Sequence, residues 1–303
     1  MTIPFKWYPG TRVLDQAFLW RLLDLEEADG RPIDRVIATK FPAYCVRHPN
    51  KVAWIAHQFR QAYDYDRSPE FGQFSESPED RATRLAVERL DRISLGEARK
   101  VFAISQNVVD RLKRYTDVDA TYLPPPPQKL PYRTAEPERF VLSVNRLDRA
   151  KRIDLLIEAA KLDSSLRIVI TGDGPDRERL EQLASPLNGQ VEFTGRVDDE
   201  RLADLYARCL AVFYAPVDED YGMVPFEAFL SEKPVVTTTD AGGPLEIVHD
   251  RETGVVAAPE PAELARACAY LAAHTDEAKA WGKAGKAIAE RVTWDGCIDA
   301  LLS

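Results

Sequence analysis

From Arg139 onward the chain alternates short apolar, β-rich runs with stretches of helical periodicity, and this alternation limits the available folds more than any other feature. The runs are Phe140 to Val144, Leu166 to Thr171, Val191 to Thr194, Leu210 to Ala215, Val235 to Thr238 and Gly254 to Ala257, each too short for a helix. Between the first two, Ile153, Leu156, Ile157 and Ala160 fall at i, i+3, i+4 and i+7 and form one apolar stripe. Strand and helix in repetition call for a parallel sheet, and right-handed crossovers place helices on both its faces. Residues 139 to about 273 therefore read as a doubly wound α/β domain with ligands at the carboxyl ends of its strands.

The first half has fewer such units, with strands expected at Arg35 to Thr39, Lys51 to Ala56, Val101 to Ile104 and Thr121 to Leu123. It opens without an apolar strand and glycine-rich turn ahead of Pro4. Pro124 to Pro127 can continue neither a helix nor a central strand, and with Pro131 and Pro137 it marks a stiff linker. The expected division is 1–132, 133–275 and a helical segment 276–303 that returns towards the first domain. Helices are expected at Pro261 to Ala273 and Asp276 to Val292, and Ser105 is expected to cap a helix starting at Gln106.

With 303 residues the chain is long enough for two domains. A net charge of −9, made up of +1 over residues 1–138 and −10 over residues 139–303, argues against a nucleic-acid partner. The cysteines Cys45, Cys209, Cys268 and Cys297 lack both a CxxC pair and a nearby His, so neither a zinc site nor a disulfide framework is expected. The start, MTIPFKWYPG, is unlike a signal peptide, and no apolar run approaches the ~20 residues of a membrane span. A cytoplasmic chain is expected, with peripheral contact at the inner membrane face left open.

Two carboxylates seven residues apart, in Glu219-Asp-Tyr-Gly-Met-Val-Pro-Phe-Glu227, form the most specific constellation. Gly222 lets backbone approach a ligand, and Glu227 in a first helical turn can present both oxygens to a vicinal diol such as a ribose. The same acids also suit a solvated loop and a helix dipole. Arg146 and Lys151, between the domain's first strand and helix, could neutralise a diphosphate or simply form a solvated basic loop. Gly172-Asp-Gly174-Pro175, Gly195-Arg196-Val197 and Gly242-Gly243-Pro-Leu-Glu246 are glycine turns on the same sheet edge, and none completes GxGxxG or a GxxxxGK(S/T) phosphate loop. These three turns and the loop that carries Arg146 and Lys151 lie on one edge and make a pocket. In the first half His57 stands at a strand's carboxyl end, where a structural His is also common.

Taken in order, Arg146, Lys151, GDGP, FTGRV (Phe193 to Val197), E-x7-E and AGGPLE (Ala241 to Glu246) resemble a family four retaining glycosyltransferase of the GT-B fold. The first half is similar to part of that family's acceptor domain in IATKFPAY, KVAWIAHQFRQAYD and VFAISQNV. The resemblance implies two Rossmann-like doubly wound domains facing across a cleft, the N-terminal one shortened. It implies transfer from a nucleotide-diphosphate sugar to a saccharide or lipid-linked acceptor in cell-surface polysaccharide or glycoconjugate synthesis, with no cofactor or metal.

By the same resemblance Arg146 and Lys151 hold the diphosphate, Glu219 faces the donor sugar and His57 touches that sugar from the other domain. Glu227 grips the ribose, Gly172 and Gly174 shape the donor pocket, and Arg196 and Val197 border the base. The backbone around Tyr221, Gly222, Met223 and Val224 lies near sugar or phosphate. The family keeps the anomeric configuration by front-face attack, so neither carboxylate is expected to be a nucleophile.

Two positions depart from the pattern: Asn145 precedes Arg146 and Arg152 follows Lys151 where the family commonly has Gly. One or two βαβ units of ~30 residues are also expected to be missing from the start. A partner chain or homo-oligomer would then cover the shortened domain, and the alternative reading is a noncatalytic or partner-dependent sugar-nucleotide-binding subunit.

Overall fold

The computed structural model describes residues 12–66, 68, 72–187 and 189–303. The opening residues, where no strand was expected, lie outside them. The chain divides into two compact units, one running to Pro124 and including Asp295–Ser303, the other spanning Pro125–Trp294. This cut lies ahead of the expected 132/133 boundary because the linker is stitched to the second unit. The Tyr221 hydroxyl donates to Pro125 O at 2.8 Å, and the amides of Ala135 and Glu138 donate to Ala207 O and Arg208 O.

In the first unit α1 (Arg12–Leu22) is followed by a two-strand antiparallel ribbon, β1 (Glu27–Ala28) and β2 (Arg31–Pro32). Then come β3 (Val36–Ala38), β4 (Lys51–Ile55), α2 (Pro78–Gly96), β5 (Lys100–Ala103), α3 (Gln106–Thr116) and β6 (Thr121–Tyr122). The sheet β3-β4-β5-β6 is parallel throughout.

Local chemistry sets the helix starts. Ser77 Oγ accepts from Asp80 N at 3.1 Å with Pro78 in the first turn, where its missing N–H removes no helical bond. Ser105 Oγ accepts from Val108 N at 3.0 Å, as the sequence led us to expect. Val87 and Leu95 of α2, Val108 and Leu112 of α3, Ile55 and Tyr44 fill one core. Val52 and Phe102 pack against Leu301 of the last helix.

The second unit runs β7 (Val141–Val144), α4 (Ile153–Leu162), β8 (Ile168–Thr171), α5 (Arg177–Ala184), β9 (Val191–Gly195), α6 (Asp199–Arg208) and β10 (Ala211–Phe213). It continues with α7 (Met223–Leu230), β11 (Val235–Thr238), β12 (Gly254–Ala257), α8 (Pro261–Ala273) and α9 (Thr275–Ala289), and α10 (Trp294–Leu302) then joins the first unit. Every strand falls in its expected run except that β9 extends one residue beyond it, to Gly195. The stripe Ile153, Leu156, Ile157 and Ala160 is buried to 1% exposure or less, worth about 1.5–3 kcal/mol for each of the larger side chains.

The expected 276–303 segment is split. α9 packs on α7, with Gly282 against Glu232 O and Gly285 against the Phe229 ring, where a Cβ would come within 2.0 and 2.2 Å. Only the residues from Asp295 onward belong with the first unit.

The parallel sheet is ordered β12-β11-β10-β7-β8-β9. The chain builds outward from β7 through β8 to β9, then crosses back to lay β10 on the other side of β7. At such a reversal neighbouring loops diverge to opposite faces, leaving a crevice at the carboxyl ends of the two strands. Here those strands are β7 and β10.

Candidate functional site

The loop after β7 carries Arg146 and Lys151, and the loop after β10 carries Glu219, so the topology sets these residues on the two sides of the reversal. The first loop is shaped from beside by the GDGP turn. Asn145 N donates to Thr171 O and Leu147 N to Asp173 O, both at 3.1 Å. A Cβ on Gly172, at φ +119°, would sit 1.8 Å from Asn145 O, and one on Gly174 would sit 2.3 Å from Leu147 O. These two glycines therefore press backbone against the Arg146 loop, and their Cα faces are filled by it.

Arg146 itself reaches outward, its side chain 71% exposed with Nε 3.7 Å from Asp148. Lys151 turns the other way and is ion-paired to Glu219, both side chains largely buried. Between them stands Tyr214, directly after β10. It accepts from Lys151 Nζ at 3.4 Å and donates to Glu219 Oε2 at 3.2 Å. Burial pushes the Tyr214 phenol well above its ordinary pKa, and the charges of Glu219 and Glu227 push the same way, so the hydroxyl keeps its proton to donate. Both carboxylates of the E-x7-E pair act on this one phenol.

Glu219 is held by backbone as well. Its N–H donates to Ala241 O and its carbonyl accepts from Gly243 N, both at 2.8 Å, which docks the AGGPLE turn alongside. Gly222, at φ +84°, starts α7, and a Cβ there would meet Tyr214 Cε1 at 2.8 Å and Pro244 Cγ at 3.1 Å. Met223 and Val224 are half-buried in the first turn. The Tyr221 ring is buried and stacked on Phe226 with centroids 5.0 Å apart, so this residue can offer a ligand its backbone but not its ring.

Glu227 Oε2 accepts from the buried Tyr206 hydroxyl at 2.6 Å. Burial pushes its carboxyl up, against the pull of that hydrogen bond. Tyr206 meets Tyr132 edge to face at 6.4 Å.

Arg196 is exposed and Val197 half-buried after β9, two strands from β7. His57, in the first unit, follows β4 half-buried with Nδ1 2.8 Å from Gln58 O. The structure thus brings Lys151, Glu219 and Gly222 together around Tyr214. Sequence reasoning passed over Tyr214, although its place at the end of the run Leu210 to Ala215 marked it as a phenol at a strand's carboxyl end. The four cysteines are buried and reduced. Among the described residues no helix is long and apolar enough to cross a membrane.

The departures from the family pattern have different local consequences. Asn145 keeps ordinary backbone angles and donates from Nδ2 to Ser143 Oγ at 3.0 Å. Arg152 occupies the left-handed region at φ 48°, where glycine would be unstrained.

The model of the family described as glycosyl transferases group 1 matches residues 128–288, more than half of the chain. The mouse alpha-1,3/1,6-mannosyltransferase ALG2 is 30% identical over 197 residues, covering 58% of this chain and 47% of its own length. A Campylobacter jejuni N-acetylgalactosaminyltransferase, named for a diphospho-undecaprenol-linked acceptor, is 32% identical over 120 residues, covering 39% of this chain and 33% of its own. The chain spans a little under half the length of the mannosyltransferase.

Among solved structures, sucrose-phosphate synthase from Thermosynechococcus elongatus superposes with a TM-score of 0.76 at 21% identity, over 99% of this chain and 79% of that one. HepE from Anabaena, in complex with UDP and glucose, gives 0.65 at 20% identity over 84% and 72%. At these identities the likeness is one of fold, and that fold is GT-B. From the extent of the family match, the chain belongs to the glycosyl transferases group 1 family.

Proposed function

We propose that the chain transfers a sugar from a nucleotide-diphosphate sugar to a saccharide or lipid-linked acceptor, with retention of the anomeric configuration and without a metal ion. The observation that carries this reading is the Lys151–Tyr214–Glu219 cluster at the sheet's reversal, beside the start of α7. Arg146, reaching outward, and Lys151 are two cations on one loop, suited to a diphosphate and to the charge that grows on it as the glycosidic bond breaks. The amides at the start of α7 add partial positive charge, Pro225 contributing no donor.

Glu219 holds Lys151 until the donor arrives, and then accepts from sugar hydroxyls as the lysine turns to phosphate. Glu227 is suited to ribose hydroxyls: Tyr206 already occupies one of its oxygens, which fixes the carboxylate plane. Arg196 and Val197 are assigned to the base. In a front-face displacement the leaving phosphate oxygen takes the acceptor's proton, so no side-chain nucleophile is needed. The relatives named for mannosyl and N-acetylgalactosaminyl transfer, and the neighbour holding UDP and glucose, support the same class of donor.

The test is thermal denaturation with UDP, GDP, ADP and their sugar conjugates, since a ligand bound only by the folded chain raises the midpoint. One nucleotide is expected to shift the wild type, and Glu227→Ala to weaken its binding more than tenfold, about 1.4 kcal/mol. Absence of any shift in a cooperatively melting chain would reject the reading. Binding without transfer to any acceptor would favour the partner-dependent subunit.

A further inference from the structure

Arg152 sits in a strained backbone conformation, φ 48° and ψ 41°, immediately after Lys151, and its guanidinium is 15% exposed. Nε donates to Ala215 O at 2.8 Å and Nη1 to Asp240 Oδ2 at 2.8 Å. Nη2 is shared among Pro216 O and Thr238 Oγ1 at 2.8 Å and Asp240 Oδ1 at 2.7 Å. One planar fork therefore joins the turn after β7 to the loops after β10 and β11.

Those two loops are the ones that hold Glu219. Asp218 N donates to Asp240 O at 2.9 Å, Glu219 N to Ala241 O at 2.8 Å and Gly243 N to Glu219 O at 2.8 Å. Val217 N donates to Ala150 O at 2.9 Å, which fastens the first of them to the Lys151 turn. We propose that Arg152 is a positioning residue that fixes Lys151 and Glu219 relative to each other, and so sets the leaving diphosphate against the transferred sugar. The proposal rests on the function given above for its catalytic consequence, but not for its structural one.

A glycine here would relax the backbone and remove the side-chain tie among three loops, leaving only their backbone hydrogen bonds. A lysine keeps the charge, but its single nitrogen cannot take the places of Nε, Nη1 and Nη2, which reach Ala215 O, Asp240 and Pro216 O separately. The strain is retained because the fork over-determines it.

The experiment compares wild type with Arg152→Gly, Arg152→Lys and Asp240→Asn. In unliganded protein, the amides of Val217, Glu219 and Gly243 are expected to exchange at least about tenfold faster in Arg152→Gly, with those of β7 and β8 unchanged. Unchanged exchange at the three amides would overturn the proposal. Asp240→Asn loosens the same tie from its other end without touching the strained backbone. It is expected to speed the same amides less, and it carries the test if Arg152→Gly does not fold.

With the nucleoside diphosphate that shifts the wild type, Arg152→Gly is expected to bind within about threefold. Release of that nucleotide from its sugar conjugate is expected to lose about tenfold or more in kcat, with KM little changed. Equal loss of affinity and kcat, no loss of either, or full recovery by lysine would overturn the positioning role. A wild type that binds none of UDP, GDP and ADP would reject the proposed function, leaving exchange alone to decide Arg152.

Discussion

Lys51 and Asp91 of the first unit and Lys151 and Glu219 of the second hold their charges in opposite ways. In the first, Lys51 is fully buried, its ammonium donating to Tyr44 O, Val46 O and Ser94 O at 2.7–3.0 Å and lying 3.5 Å from Glu97. Asp91 is equally buried and accepts from Tyr44 and Tyr63 at 2.8 and 2.7 Å. Both are sealed by partners from several elements, and no ligand is needed to complete them. In the second unit Lys151 and Glu219 lie at a loop rim, are each about a fifth exposed, and pair with each other and with the Tyr214 hydroxyl. A charge saturated by its own fold and shut from solvent is structural, whereas a partly exposed pair across a crevice can exchange a partner for a ligand.

The largest effect that would break this contrast comes from Lys51→Ala, expected to cost the first unit about 3 kcal/mol or more in denaturant unfolding, because three carbonyls lose their donor and Glu97 its nearby cation. A loss under about 1 kcal/mol would mean that water replaces the ammonium and the site is not sealed.

Next is Asp91. Burial pushes its carboxyl up to about 7 despite the hydrogen bonds from Tyr63 and Tyr44. A folded value above the unfolded one of ~3.9 means the contribution to stability is complete in acid and is lost as pH rises through about 7. The melting-point difference between wild type and Asp91→Asn should therefore fall between about pH 4 and pH 7 and level off above that. A flat difference would contradict the burial argument.

The smallest effect on stability is expected from His57→Ala, a half-buried group at a strand end. Its melting point and nucleotide affinity should stay near those of the wild type while sugar transfer drops. Parallel loss of stability would make His57 a member of the sealed class.

The strands of the second unit could be read residue by residue because each apolar run is short and bounded, and the alternation with the α4 stripe left only a parallel sheet. The expected site residues could be named because they cluster in loops after those runs. Strand order could not be read. Nothing in the spacing of Val141–Val144 and Ala211–Phe213 says that they pair, and only that pairing brings Lys151 to Glu219 across Tyr214. Arg152 was noticed as a departure, but its use depended on Thr238 and Asp240, far away in sequence. The 132/133 boundary and the division after Pro124 both fall in the proline-rich stretch, and the position of the cut within it follows contacts such as that of Tyr221 with Pro125.

The two glycines of α9 bear on how a map of mutational tolerance should be interpreted. Gly282 and Gly285 lie against Glu232 and Phe229, at the far end of the eight-residue helix that bears Glu227, and neither position has room for a methyl group. A saturation scan would therefore mark both as intolerant as the residues proposed to bind the donor. Patterns of sequence invariance in this segment report the seating of one helix on another, not contact with substrate.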